Sequence, residues 1–139
     1  MNSRLNLALR EQSGLVYNVE SNLTSYTDTG VFNIYFGTAT EDVDQCMELV
    51  HGELHRLCER PLSPLQLAAA KKQLIGQVGV ASDNFENAAL NMSKTFLHYN
   101  VCHSSETLFR RIEVLTAQEL WDISNELFVP SNLTTLIYR

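Results

Sequence analysis

The sequence is poor in the features that mark several large classes of protein. Three cysteines in 139 residues, with no Cys-x-x-Cys pair, exclude a disulfide-dense scaffold and a zinc ribbon. Cys46 and Cys58 fall in one predicted helix, about 18 Å apart at 1.5 Å per residue, beyond the reach of a disulfide. Lys and Arg number ten against sixteen Asp and Glu, for a net charge of −6, and they form no basic run, so nucleic-acid binding is not expected. No stretch approaches the roughly 18 apolar residues of a membrane span, and no membrane partner is expected. The start, Met1-Asn2-Ser3-Arg4-Leu5, lacks the basic region, apolar run and small-residue site of a signal peptide. A cytoplasmic location is the expectation, unless a signal lies upstream. Glycine-rich phosphate loops, a nucleophile elbow and a dinucleotide fingerprint are all missing.

What is present is an apolar content of 45%, enough for a packed core. Residues 3–12 place Leu5, Ala8 and Leu9 at helical spacing, and Gly14 is well placed to end the helix. From Leu15 the period changes to two, with Leu15, Tyr17, Val19 and Leu23 on one face. A turn at Tyr26–Gly30 and the run Val31–Phe36 complete a hairpin. Val43, Cys46, Met47, Val50, Leu54, Leu57 and Cys58 form the apolar stripe of a helix that Pro61 stops. Ser63-Pro64-Leu65-Gln66 is a capping box opening a helix to about Ala81. Phe85, Ala88, Ala89, Met92, Phe96 and Tyr99 mark another helix, and Ser105 opens a shorter one with Leu108, Phe109 and Ile112. A second capping box, Thr116 to Glu119, leads into a helix with Leu120, Ile123 and Leu127 inward. Residues 133–138 read as a final strand.

This order predicts a single α+β domain over residues 1–139, a two-layer sandwich of an antiparallel or mixed sheet covered by helices. Three strands are few for so many helices, and such a sheet has a long pairing-competent edge. The domain is therefore expected to be incomplete, with a further strand upstream or from a partner, or with self-association through the edge.

The one metal-like cluster is His51-Gly52-Glu53-Leu54-His55. Two histidines at i, i+4 share a helix face, with Glu48 as a third candidate ligand. The H-E-x-x-H order needs glutamate at 52, which is Gly, and the H-x-x-E-H order needs it at 54, which is Leu. A solvated helix flank is the alternative reading.

The runs "SRLNLALREQSGLVYNVES", "YTDTGVFNIYFGT", "SPLQLAAAKKQLIGQ" and "FRRIEVLTAQEL" resemble, in order and over nearly the whole chain, the second conserved domain type of the pitrilysin or insulinase-like zinc peptidases and mitochondrial processing peptidases. The resemblance implies a non-catalytic domain of a zinc metalloendopeptidase, with no cofactor in this chain and zinc in a partner domain or subunit. It also implies that upstream strands of the domain are absent. In that family an arginine and a tyrosine, at the spacing found in "LREQSGLVY", contact the peptide substrate opposite the zinc. The matching residues are Arg10 and Tyr17. The residues themselves also allow a structural reading, with Arg10 complementing a helix C-terminus and Tyr17 facing the core beside Leu15 and Val19. A catalytically inactive relative that serves protein interaction or assembly is the second functional reading.

Overall fold

The structure is a computed structural model that describes residues 3–82 and 84–138. Through its last α-helix, the elements follow the order expected from the pattern. A π-helix, Asn6–Gln12, precedes strands β1, Val16–Ser25, and β2, Gly30–Thr38. A short 3-10 turn, Thr40–Asp42, leads into α1, Val43–Glu59. Then come α2, Pro64–Ser82, α3, Phe85–Tyr99, α4, Ser105–Val114, α5, Ala117–Leu127, and a 3-10 turn, Pro130–Asn132. The chain divides into two compact units, residues 1–60 with 123–139, and residues 61–122.

In the first unit the hairpin lies over helices. Leu9 and Cys46 are fully buried, and with Ala8, Val16, Val50 and Leu54 they form the core cluster. Val19, Ile34, Phe36, Phe128 and Leu133 pack around it. The α1 stripe lands as its periodicity requires, with Cys46, Val50 and Leu54 buried. The β1–β2 pair is antiparallel, running from Val16 opposite Thr38 to Ser25 opposite Gly30. Its turn is closed by the Tyr26 N–H on the Thr29 carbonyl at 2.9 Å.

Four sequence expectations are corrected here. The helix expected over 3–12 is wound mainly as a π-helix, because packing and closure at Gly14 select between windings that the apolar spacing alone does not separate. The strand expected over 133–138 makes no ladder among the described residues. Its backbone is extended at Leu133, but a strand exists only where another strand supplies its hydrogen bonds. Tyr17 does not face the core: it is 80% exposed, for a reason given below. Ile123 and Leu127 of α5, expected inward, are both exposed, since periodicity identifies an apolar face without supplying what covers it.

In the second unit, local chemistry sets the helix ends. Gln66 N–H donates to Ser63 Oγ at 3.3 Å and Ser63 N–H to Gln66 Oε1 at 3.0 Å, a reciprocal capping box. α4 opens at Ser105 as expected, and Ser104 before it caps the helix through the Thr107 N–H at 3.3 Å. Thr116 and Glu119 form the second box, and Lys71 Nζ donates to the Glu113 carbonyl at 2.8 Å. Ile112 is buried in this unit, whereas Phe85, Met92, Phe96 and Tyr99 of the expected α3 face are exposed. No helix of the described residues is long and apolar enough to cross a membrane.

Candidate functional site

The sequence between Ser3 and Thr38 builds one local assembly that carries both Arg10 and Tyr17. Ser3 opens it: its Oγ accepts from the Asn6 N–H at 3.2 Å and its carbonyl from the Leu7 N–H at 2.9 Å. The π-helix buries Asn6, Ala8 and Leu9 and leaves Arg10 exposed in its last turn. There the guanidinium carries the charge sign that suits free carbonyls at a helix C-terminus. Gly14, at φ +64°, ends the helix in the left-handed region that a side chain disfavours. Its N–H donates to the Arg10 carbonyl at 3.0 Å, and the next N–H, that of Leu15, reaches back to the Leu9 carbonyl at 3.0 Å.

Tyr17 sits at a β-bulge. Val16 pairs with Thr38 and Asn18 with Gly37, so Tyr17 is an extra residue with no partner on β2. A bulge breaks the two-residue alternation and redirects a side chain. Val16 is buried and Val19 is half-buried, three residues apart, a spacing that regular alternation cannot place on one face. The phenol is thereby turned to solvent. The sequence signal that marks such a site is Gly37, a glycine inside an otherwise β-branched and aromatic strand. A Cβ there would lie 3.0 Å from Asn18 Oδ1, tighter than side chains normally tolerate.

Neither the Arg10 guanidinium nor the Tyr17 hydroxyl has a hydrogen-bond or ion-pair partner among the described residues. Tyr35 and Glu20, directly opposite one another in the ladder, are exposed as well. The Arg10 and Tyr17 polar groups are thus available without first breaking internal bonds.

The histidine cluster on α1 has a different character. His51 and His55 line a groove of about 530 Å³ with Leu54, Cys58, Phe128 and Leu133. His55 Nδ1 lies 3.2 Å from Glu59 Oε1, and Cys58 Sγ donates to the Ser124 carbonyl at 3.3 Å. Glu53 is buried and paired with Arg56 one turn on. Among the described residues no group of three His, Cys, Asp or Glu side chains is arranged to hold a metal ion. Of the Glu48, His51 and His55 set, His55 is engaged with Glu59 on its own helix.

The profile of the family described as the Peptidase M16 inactive domain matches residues 1–74, the segment that holds the assembly above. An uncharacterised zinc protease of Rickettsia felis is 27% identical over 97% of this chain and 32% of its own length. The uncharacterised zinc protease YmxG of Bacillus subtilis is 24% identical over 99% of this chain and 34% of its own. The mitochondrial-processing peptidase subunit beta of Neurospora crassa is 28% identical over 74% of this chain and 22% of its own. Among solved structures, a peptidase M16 inactive domain from Pseudomonas fluorescens superposes with a TM-score of 0.71 at 26% identity, covering 89% of this chain and 29% of that one. A chain of complex III2 from Candida albicans shares the fold at a TM-score of 0.79 and 19% identity, covering 91% of this chain and 30% of that one. The chain spans about a third of the length of the first two of these zinc proteases.

Proposed function

Because this chain belongs to the Peptidase M16 inactive domain family, the non-zinc-binding domain type of the pitrilysin-like zinc peptidases, we propose that it forms part of the substrate chamber of a zinc metalloendopeptidase. In this reading it contacts an extended peptide through Arg10 and Tyr17. The zinc belongs to a partner domain or subunit, and no step at this chain's residues runs through it. The observation that carries the reading is the exposure of both side chains, one at the end of a π-helix and one on a bulge, in a unit whose core lies directly behind them. Both irregularities recur at functional sites.

The chemistry suits a peptide. A guanidinium presents paired N–H donors to a backbone carbonyl or a terminal carboxylate. A phenol hydroxyl donates to a carbonyl oxygen, a bond that strengthens as negative charge develops there. Such contacts orient the peptide and add electrostatic stabilisation without covalent participation.

In the full-length or reconstituted enzyme, Tyr17→Phe is expected to lower turnover of an unfolded peptide by about 10²-fold if the hydroxyl meets developing charge. Arg10→Ala is expected to raise KM. The isolated chain is expected to hydrolyse nothing. Unchanged kinetics in both variants would assign the two residues to structure, and steady, chelator-sensitive turnover by the isolated chain would overturn the division of labour.

A second reading is a catalytically inactive interaction or assembly domain. The observation favouring it is the hairpin itself, whose Leu23, Tyr26, Val31 and Tyr35 are all at least half exposed. Such a surface suits a protein partner or a second copy of the chain. Light scattering showing a clean monomer would count against self-association.

A further inference from the structure

We infer that Thr38 is a positioning residue that sets where Tyr17 stands relative to Arg10, an inference that rests on the reading of both residues as substrate contacts. The two side chains belong to different elements, and the link between them is the backbone of Leu15. Its N–H is held by the Leu9 carbonyl at 3.0 Å, which ties it to the helix that carries Arg10. Its carbonyl accepts from Thr38 Oγ1 at 2.6 Å, which ties it to β2 immediately before the bulge that carries Tyr17. Leu15 is thus clamped on both sides.

The clamp is backed by the core. Cys46 Sγ, fully buried on α1, lies 3.5 Å from Thr38 Oγ1 and donates its S–H there. The chain of donors runs in one direction, from thiol to hydroxyl to carbonyl, so each hydrogen has one acceptor. The threonine hydroxyl alone accepts from the thiol and donates to the carbonyl. Valine at 38 has nearly the same shape and can do neither.

The consequence for Tyr17 is geometric. Strand alternation means that a one-residue slip of β1 on β2 would exchange the faces of its side chains. The bulge is the one irregularity in the Val16–Ser25 register. Thr38 bonds the strand on the Arg10 side of it, while Gly37 leaves space for Asn18 on the other. Without the Thr38 hydroxyl, the extra residue is free to move along the strand. Tyr17 then shares its population between outward and inward settings, although Thr38 itself touches no substrate.

The test uses full-length protein carrying 3-fluorotyrosine at position 17, with Thr38→Val and Thr38→Ser made in that background. Thr38→Val is expected to broaden or split the fluorine resonance and to lower kcat/KM for a peptide by roughly tenfold, the order expected for one hydrogen bond. Thr38→Ser, which keeps the hydroxyl, is expected to restore both. Should Thr38→Val fail to fold, Thr38→Ala removes the hydroxyl without placing a methyl group against the Leu15 carbonyl. A single, unmoved fluorine line with unchanged kcat/KM in either hydroxyl-free variant overturns the inference, as does a failure of serine to rescue. If the line moves while Tyr17→Phe and Arg10→Ala leave turnover unaltered, the substrate reading fails and the placement of Tyr17 by Thr38 is supported.

Discussion

Two glycines of the same unit should respond in opposite directions to the same substitution. Gly52 lies inside α1, and a Cβ built there meets nothing within 4 Å. Alanine is favoured over glycine in a helix interior by about 1 kcal/mol, so Gly52→Ala should stabilise the unit by about that much. Gly14 also has open space around its Cβ position, but its φ is +64°. An L-residue in the left-handed region costs roughly 1–2 kcal/mol. About 0.4–1 kcal/mol of that is offset by the restricted unfolded chain. Gly14→Ala should therefore destabilise by about 1 kcal/mol, which separates the two variants by about 2 kcal/mol. With a urea m-value of about 2 kcal/mol/M, their midpoints should differ by about 1 M, on opposite sides of the parent. Urea unfolding followed by circular dichroism in parallel reads this directly. Shifts of the same sign would refute the reasoning: a stabilised Gly14→Ala would deny the left-handed closure between Arg10 and Leu15, and a destabilised Gly52→Ala would deny the open helical setting of residue 52.

Other outcomes follow from the same structure. Leu9→Ala removes a fully buried side chain from the core cluster and should cost about 2–5 kcal/mol, read as a lowered urea midpoint; a loss below about 1 kcal/mol would mean that the core is not centred there. The Thr116 side chain and backbone N–H, and the charge of Lys71, hold the Glu119 carboxyl below the ordinary glutamate range. Its contribution to the α5 cap is fully present above the ordinary carboxylate pKa and is lost as pH falls through the lowered value in the folded state. An NMR titration should show Glu119 with a depressed midpoint that rises in Thr116→Val, and an ordinary midpoint in the parent would contradict the capping geometry. The chain by itself should bind no stoichiometric zinc at the α1 histidines, and His51→Ala should leave its metal content unchanged in equilibrium dialysis. One tightly held ion lost in that variant would restore the metal-site reading of Glu48, His51 and His55.

Much of the fold is legible because its causes are local. The α1 stripe, the capping boxes at Ser63 and Thr116, the hairpin turn and the glycine that ends the first helix each depend on residues a few positions apart. Arg10 and Tyr17 are legible as candidates through the family resemblance of the run that contains them. Their exposure is not, because Tyr17 reads as an inward residue when alternation is counted along β1 alone.

The sequence by itself therefore determined the order of elements through α5, their caps and the family to which the chain belongs, since periodicity, capping and motif order are properties of neighbouring residues. Only the tertiary structure decided which way Tyr17 points and whether residues 133–138 form a ladder. Both depend on a partner strand: Gly37 and Thr38, some twenty residues away, create the bulge that turns the phenol outward. The C-terminal segment, paired with no strand among the described residues, forms no ladder, because backbone hydrogen bonds in a sheet are made between strands and never within one.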